Sequence, residues 1–445
     1  MKILSSVSPS TAFNRIGGGT RMRFQQERSP DPSKKLTPNF SSNHRKTKGM
    51  ATESPQGMGP DTPDIHPKFV FAGCKFGFEQ ACKSEVLDQC PNLKFSFSRP
   101  GFQTYKVQQG APDFSKINSL KFVRIAGLNR GQVVLDEKGQ VEESVQSAIR
   151  DLVKEFQIRT IHAWNRNLGD QNDDLLLGRH PDHQQGFIHP EQPSLDEFTK
   201  SLSLEINQPA RKGHHVLDLI TVDRGKIWDA THQAETPQQC WPGGVIGFRL
   251  PEKLVSRAYL KTRESMIWSR FPFRRGETCI EIGCAPGGSA QALLGEGLRV
   301  VGIDPALVED SIRDHPNFFQ IRKRGADVRK KDLADANWLF ADSNVAPKHS
   351  LDTIEEIVTN QHLNVRGMII TLKLLQPKLI HELEQYLERI RGMGFGFVRA
   401  RQLAFNRNEI CVAALRKKSI LRFGRLSKGK TKPPGEKRDP KPGES

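Results

Sequence analysis

The chain contains no run of about 18 consecutive apolar residues, so no helix is expected to cross a bilayer. It also lacks any Cys-x-x-Cys pair, and its seven cysteines (Cys74, Cys82, Cys90, Cys240, Cys279, Cys284, Cys411) are odd in number. This excludes a zinc ribbon or disulfide framework as the organising element and points to a reducing compartment. Cys74, Cys82 and Cys90 are evenly spaced, which suits helix packing as readily as chemistry. Acids are in deficit, with 50 Asp and Glu against 67 Lys and Arg, a formal net charge of +17 and a pI near 9.6. Such an imbalance is silent about fold but favours a polyanionic partner.

Part of that charge lies in the tails. Residues 1–65 are poor in acids and rich in Ser, Pro, Arg and Lys, a composition that cannot bury a core and predicts disorder. The segment has two readings: an organelle transit peptide, or a dispensable extension with translation starting at Met50 or Met58. No amphipathic Arg-bearing helix is evident, which favours the second reading and a cytoplasmic location, with an organelle as the alternative. Residues 417–445 alternate Lys and Arg with Pro and Gly and read as a flexible cationic tail. On an RNA enzyme it would add salt-dependent affinity.

Between the tails, 445 residues allow two or three domains. Residues 66–140 begin with a strand at Lys68–Ala72, a helix over Gly77–Leu87, and strands at Leu93–Ser98 and Thr104–Val107. This β-α-β-β pattern suits a small ferredoxin-like α+β domain. Residues 141–245 open with a strong helix pattern over Val141–Gln157 and continue to a strand at Val216–Val222, with Lys226–Asp229 as its hairpin partner. A polar insert, 168–193, carries His180, His183 and His189 at a spacing that fits no metal site, so an exposed loop and no metal are expected. Pro242-Gly-Gly244 then breaks the chain before residues 246–416. There, strands at Thr278–Ile282, Arg299–Asp304, Trp338–Asp342 and Gly367–Leu372 alternate with helices at Ser289–Gly295, Leu351–Asn360 and Lys378–Gly392. The last two strands, Gly394–Arg401 and Glu409–Leu415, join through Asn406-Arg-Asn408. The pattern predicts a doubly wound, Rossmann-like α/β sheet with an antiparallel hairpin at its edge. Ligands of such sheets sit beyond the carboxyl ends of the strands.

The most informative stretch is Glu281-Ile-Gly-Cys-Ala-Pro-Gly-Gly288, where the first of those strands runs into its helix through the loop Gly283–Gly288. Glycines there permit a sharp turn and a close ligand approach, and Asp304 ends the next strand about 20 residues on, where such folds hold ribose hydroxyls. The loop departs from G-x-G-x-x-G, however. Pro286 removes an N–H that a pyrophosphate would need, so a nucleoside without phosphate fits better, and S-adenosylmethionine is the common one.

Charged residues recur at the ligand end of the same sheet. Lys261 lies on a helix preceding the first strand, Asp342 and Lys373 end two strands, and Glu409 opens another. One such residue would ordinarily be a satisfied ion pair. Four alternating in sign are harder to explain that way. Ser256-Arg-Ala-x-x-Lys261, the Ala-Pro-Gly-Gly loop, Asp342 followed by Ala346-Pro347, Lys373 and Glu409 together resemble the Lys-Asp-Lys-Glu tetrad of FtsJ-like (RrmJ-type) ribose 2′-O-methyltransferases. Trp241-Pro-Gly-Gly-Val245, Ala400-Arg-Gln-Leu403 and Arg407-Asn-Glu409 bring the likeness closer to the RlmM type, which acts on large-subunit ribosomal RNA. The likeness is strongest over residues 240–416 and weaker over 66–240, where that type carries ferredoxin-like and THUMP-related RNA-binding modules. The Asp342-Ser-Asn-Val-Ala-Pro347 turn is longer than the family's.

The resemblance implies an S-adenosylmethionine-dependent enzyme acting on a ribose 2′-hydroxyl of RNA, most naturally ribosomal RNA, with mRNA cap or tRNA as alternatives. An RNA-binding protein that no longer reacts is the rival class, and the intact tetrad argues against it. Lys373 is implied as proton acceptor, with Lys261 nearby lowering its proton affinity and Asp342 and Glu409 holding both amines. The implied cofactor contacts are Ser256, Gly283, Cys284, Ala285, Pro286, Gly287, Gly288, Asp304, Asp327 and Asp342. Ser256 could instead cap the helix over Arg257–Met266, and Asp327 could be a solvated loop acid.

Overall fold

The computed structural model describes residues 69–133, 141–166, 198–223, 226–247, 250–342 and 345–420, all within one compact unit spanning Pro63–Ser445. The N-terminal extension, the 168–193 insert with its histidines, and the tail beyond 420 lie outside these residues.

A first sheet takes strands from both N-terminal segments. Its members are β1 (Phe69–Gly73), β2 (Leu93–Arg99), β3 (Phe102–Val107), β4 (Ile125–Val133), β5 (Thr160–Asn165), β6 (Glu205–Ile206), β7 (His215–Asp223) and β8 (Lys226–Gln233), in the order β2-β3-β1-β4-β8-β7-β5-β6. The antiparallel β4–β8 ladder joins the segment before residue 140 to the one after it. β4 and β5 were not legible in the sequence: Gly127, Asn129 and Gly131 interrupt the strand signal of β4. Helices α1 (Glu79–Gln89), α2 (Phe114–Ile117) and α3 (Glu143–Glu155) complete this half. Strand alternation puts Val70, Ala72 and Tyr105 in one core with α1, while Phe71, Phe102, Trp164 and Ile220 form a second core on the opposite face. The sheet curls strongly about that second face. Phe97 of β2 stacks on Trp228 of β8 with centroids 5.3 Å apart, and Arg99 pairs with Asp223 of β7 at 3.2 Å, although β3, β1 and β4 intervene.

The second sheet is the doubly wound one. Helix α4 (Ala258–Ser269) precedes β9 (Thr278–Ile282), α5 (Gly288–Gly295), β10 (Arg299–Ile303), α6 (Asp310–Arg313), β11 (Phe318–Ile321), β12 (Ala336–Ala341), α7 (Pro347–Val358), β13 (Gly367–Lys373), α8 (Pro377–His381), α9 (Leu383–Gly392), β14 (Phe395–Arg401) and β15 (Glu409–Arg416). The strand order is β11-β10-β9-β12-β13-β15-β14, with β15 antiparallel to both of its neighbours. The α/β reading of residues 246–416 therefore holds, with local differences. The helix expected over 378–392 is broken into α8 and α9. The four-residue edge strand β11 was not foreseen, being too short to show a period. The chain winds outward from β9 to β11 and then returns to β12, so the switch point lies between β9 and β12, where such sheets open a crevice.

The two sheets share a core. In the β14–β15 turn, Ala404 and Phe405 are buried against Phe71, Phe102 and Trp164 of the first sheet. The Arg401 guanidinium, itself buried, donates to the carbonyls of Asn118, Val123 (2.7 Å) and Arg124 (2.9 Å). The Gln402 N–H donates to the Lys121 carbonyl at 2.8 Å. From α4, the Glu264 carboxylate accepts the N–H groups of Ala404 (3.0 Å) and Phe405 (2.9 Å). Burial pushes the Glu264 pKa up to about 7, against the pull of those two N–H groups and of Arg401. The turn that leads into β15 is thus gripped from both sides.

Candidate active site

β9 runs into the glycine loop, where Gly283 (φ +81°) and Gly287 (φ +117°) adopt backbone angles that side-chain-bearing residues rarely reach, and Ala285-Pro286 is cis. A Cβ on Gly288 would lie 2.1 Å from Ser256 Oγ and 2.8 Å from the Ser256 carbonyl, so only glycine lets the 256 segment press onto the start of α5. Ser256 is therefore placed against the loop. Its hydroxyl also accepts a long bond from the Ala258 N–H at 3.4 Å, while the helix itself begins at Ala258 with Arg257 as its cap. The sequence had begun that helix at Arg257.

Asp304 follows β10 directly. Its Oδ2 accepts the Ala285 N–H at 3.2 Å and its Oδ1 the Ala306 N–H at 2.9 Å, which ties the loop to the neighbouring strand end. Asp327 is exposed, in a 3₁₀ turn (Gly325–Asp327) after β11, on the same rim. Cys284 is buried, and burial, followed by Glu281 and Asp304, drives its thiol pKa upward, so it is a neutral group and no nucleophile. The donors and acceptors around the loop are rich in carboxylates. That set suits a cationic ligand carrying hydroxyls and repels a phosphate.

Lys261, Asp342, Lys373 and Glu409 converge two strands away. Register explains part of this: Lys373 and Glu409 are directly paired across β13 and β15. Asp342 follows β12, adjacent to β13, and α4 delivers Lys261. Lys261 Nζ lies in close contact with Asp342 and 3.1 Å from Glu409 Oε1. Lys373 Nζ lies 3.4 Å from Glu409 Oε2 and 3.8 Å from Asp342 Oδ1. Each amine thus faces both acids, and the side chains are only 5–19 % exposed. Burial lowers the Lys261 pKa, but Asp342 and Glu409 outweigh it and the net shift is upward. For Asp342, burial raises the pKa, whereas Lys261, a 2.5 Å hydrogen bond from Thr371 Oγ1 and Lys373 bring it below its ordinary value. Lys261 is the amine fixed in the charged form, and Lys373 has the longer contacts.

Three further participants have no role in the sequence reading, although Arg257 and Glu281 lie within its motifs. Thr371 orients Asp342 and gave no signal beyond alternation. Arg257, half-buried, has its pKa lowered by burial despite the attraction of Glu409 and Asp342. Glu281, on β9 behind the loop, is fully buried. Among the described residues neither carboxylate oxygen has a full hydrogen bond. Burial pushes its pKa up to about 8, offset only in part by the Ser289 hydroxyl and raised further by Asp342. A charged residue inside a buried strand was the available clue.

Glu281 has a pH-dependent consequence. Its ordinary value is near 4.5, so between about pH 4.5 and 8 the folded state keeps a proton that the unfolded chain releases, and stability falls as pH rises. Glu281→Gln removes this penalty. Its melting temperature is expected to match wild type near pH 4.5 and to exceed it increasingly up to pH 8.5, by the equivalent of a few kcal/mol at most. A difference that stays flat with pH would show that Glu281 is not buried in this way.

A glycine turn after the first strand of a doubly wound sheet, with an acid ending the next strand, is the nucleotide-binding arrangement of α/β domains. Residues 254–410 match the family model for FtsJ-like methyltransferases. The chain is 28% identical over 184 residues to ribosomal RNA large subunit methyltransferase M of Halorhodospira halophila (strain DSM 244 / SL1), covering 40% of this chain and 52% of that protein. It is 27% identical over 213 residues to the protein of the same name from Thauera aminoaromatica, covering 45% and 57%. With that from Hahella chejuensis (strain KCTC 2396) it is 22% identical over 359 residues, covering 72% and 89%. The chain therefore spans about half the length of the first two relatives and most of the third.

Proposed function

We propose that the protein transfers a methyl group from S-adenosylmethionine to a ribose 2′-hydroxyl of RNA, in large-subunit ribosomal RNA. The closed set of ion pairs among Lys261, Asp342, Lys373 and Glu409 beside the glycine loop carries this reading. The relatives' shared name supports the choice of RNA.

The cofactor supplies an electrophilic methyl group on a positively charged sulfur. Residues 283–288 and Ser256 would line its amino-acid part, Asp304 would accept from the ribose hydroxyls, and Asp327 would accept from the adenine amine. A ribose hydroxyl is too weak an acid to attack unaided, so its proton must leave as the new C–O bond forms. Lys373 would take it. Lys261, fixed in the charged form by two carboxylates, holds Asp342 and Glu409 in position and keeps positive charge beside the reacting oxygen. Asp342 and Glu409 orient the Lys373 amine, so the hydroxyl is presented in line with the methyl group.

The first sheet supports the rest of the proposal. Its strand order β2-β3-β1-β4, with α1 between β1 and β2, is that of a ferredoxin-like unit. We assign residues 66–140 to such a unit and 141–245 to a THUMP-related RNA-binding region.

The test is to incubate the full chain with methyl-labelled S-adenosylmethionine and unmodified large-subunit ribosomal RNA. The RNA is then hydrolysed in alkali, which cannot cut beside a 2′-O-methylated ribose. Label in alkali-resistant dinucleotides is expected. Label on bases, or none in RNA, would overturn the reading.

A further inference from the structure

β11 is parallel to β10, and β10 to β9, so the chain leaves β11 at the same end of the sheet as the glycine loop and Asp304. The Asp304 N–H donates to the Ile321 carbonyl at 3.3 Å, which fixes the departing segment beside the cofactor rim. That segment reads Arg322-Lys323-Arg324-Gly-Ala-Asp-Val-Arg329-Lys330-Lys331, six cations and one acid in ten residues. Arg322, Lys323 and Arg324 are all exposed. Among the described residues, no carboxylate forms an ion pair with any of these three. The downstream cations are engaged, Arg329 with Asp332 at 3.0 Å and Lys330 with Glu356 at 3.4 Å. Three neighbouring cations therefore have no carboxylate partner among the described residues, at the edge of the sheet end that carries the glycine loop.

Their place in the sheet matters as much as their charge. β11 is one edge of the sheet, and the first sheet packs against the turn of the β14–β15 hairpin at the other. The four reacting side chains lie between. Three to four strand spacings, roughly 15–20 Å, separate β11 from β12 and β13. That is the reach of a few nucleotides of extended strand. A surface built only for solubility gains nothing from three like charges in succession on one rim, whereas a phosphate backbone crossing the crevice does.

We propose that Arg322, Lys323 and Arg324 form a phosphate-binding ridge. The ridge takes the RNA backbone on the cofactor side of the target ribose, while the first sheet holds the RNA on the other side. This rests on the proposed RNA methyl transfer. The contact is to phosphate and carries no base information, so it sets the path of the strand and not the choice of sequence.

The experiment uses the full chain, wild type and the Arg322→Ala/Lys323→Ala/Arg324→Ala triple variant, with unmodified large-subunit ribosomal RNA over a series of salt concentrations. S-adenosylmethionine affinity and the melting temperature are measured in parallel. The variant should bind RNA at least tenfold more weakly at low salt. The slope of log affinity against log salt should fall by about 0.7 for each lost phosphate contact, or about 2 in all. Cofactor affinity should remain unchanged, and KM for RNA should rise more than kcat falls. Charge-conserving Arg322→Lys/Arg324→Lys should retain most of the affinity. An unaltered salt slope in a variant whose wild type binds RNA overturns the ridge alone. Wild-type protein that neither binds nor methylates RNA overturns the underlying function instead.

Discussion

Lys373→Ala is expected to lower single-turnover methyl transfer by at least 10²–10⁴-fold, the range a positioned proton acceptor contributes. Affinity for S-adenosylmethionine should stay within a few fold, because the Lys373 amine meets Glu409 and Asp342 and not the glycine loop. Lys261 is the poorer substitute, since its contacts with both acids are the closer ones and they raise its pKa. The companion variant Lys373→Arg separates two roles. Arginine keeps the positive charge between the acids but does not give up its proton near neutrality, so it should be as inactive as alanine. Recovery of most of the rate by arginine would mean that Lys373 acts through charge and that the hydroxyl loses its proton elsewhere. Near-normal turnover in the alanine variant would remove Lys373 from the chemistry altogether.

The second large effect concerns a residue that touches no substrate. Arg401→Ala leaves the carbonyls of Asn118, Val123 and Arg124 without their donor and takes a counter-charge from buried Glu264. At on the order of 1–3 kcal/mol for each buried group left unsatisfied, the loss should reach roughly 3–5 kcal/mol. Denaturant unfolding of the full chain reads this directly. The same variant should lose methyl transfer at temperatures where it remains folded, because the 402–408 turn positions Glu409. A loss under 1 kcal/mol would show that the two sheets are not locked together through this side chain. The junction also changes what a truncation can report. Removing residues 66–240 strips the cover from Phe405 and Ala404, so weaker RNA binding by the remainder would not isolate an RNA-binding role.

The doubly wound sheet was legible because its buried parallel strands read as short apolar runs between helical periods, each ending on glycine or a charge. The tetrad was legible for a related reason: charge at the end of an apolar strand is costly, and four such residues stand out against their surroundings. β4, β5 and β11 left weaker traces, since glycine, asparagine or mere brevity erased the alternation while pairing with neighbours supplied the stability. Glu264 and Arg401 looked like ordinary polar residues of a helix and a strand. Their partners are backbone groups more than a hundred positions away, and backbone groups leave no mark in a sequence. Thr371 was hidden similarly, its role fixed by the neighbouring strand. The curl of the first sheet, closed by Phe97 on Trp228, depends on two aromatics whose meeting no local pattern announces.

The interlocked turn bears on any attempt to retarget the molecule. Grafting a foreign N-terminal half onto this doubly wound half would leave Ala404 and Phe405 facing a surface not shaped for them, and Arg401 reaching for carbonyls that no longer exist. A workable chimaera would have to carry residues 401–407 across together with the donor's own N-terminal half, so the natural seam for swapping parts runs through the last hairpin and not through the Pro-Gly-Gly break in the chain.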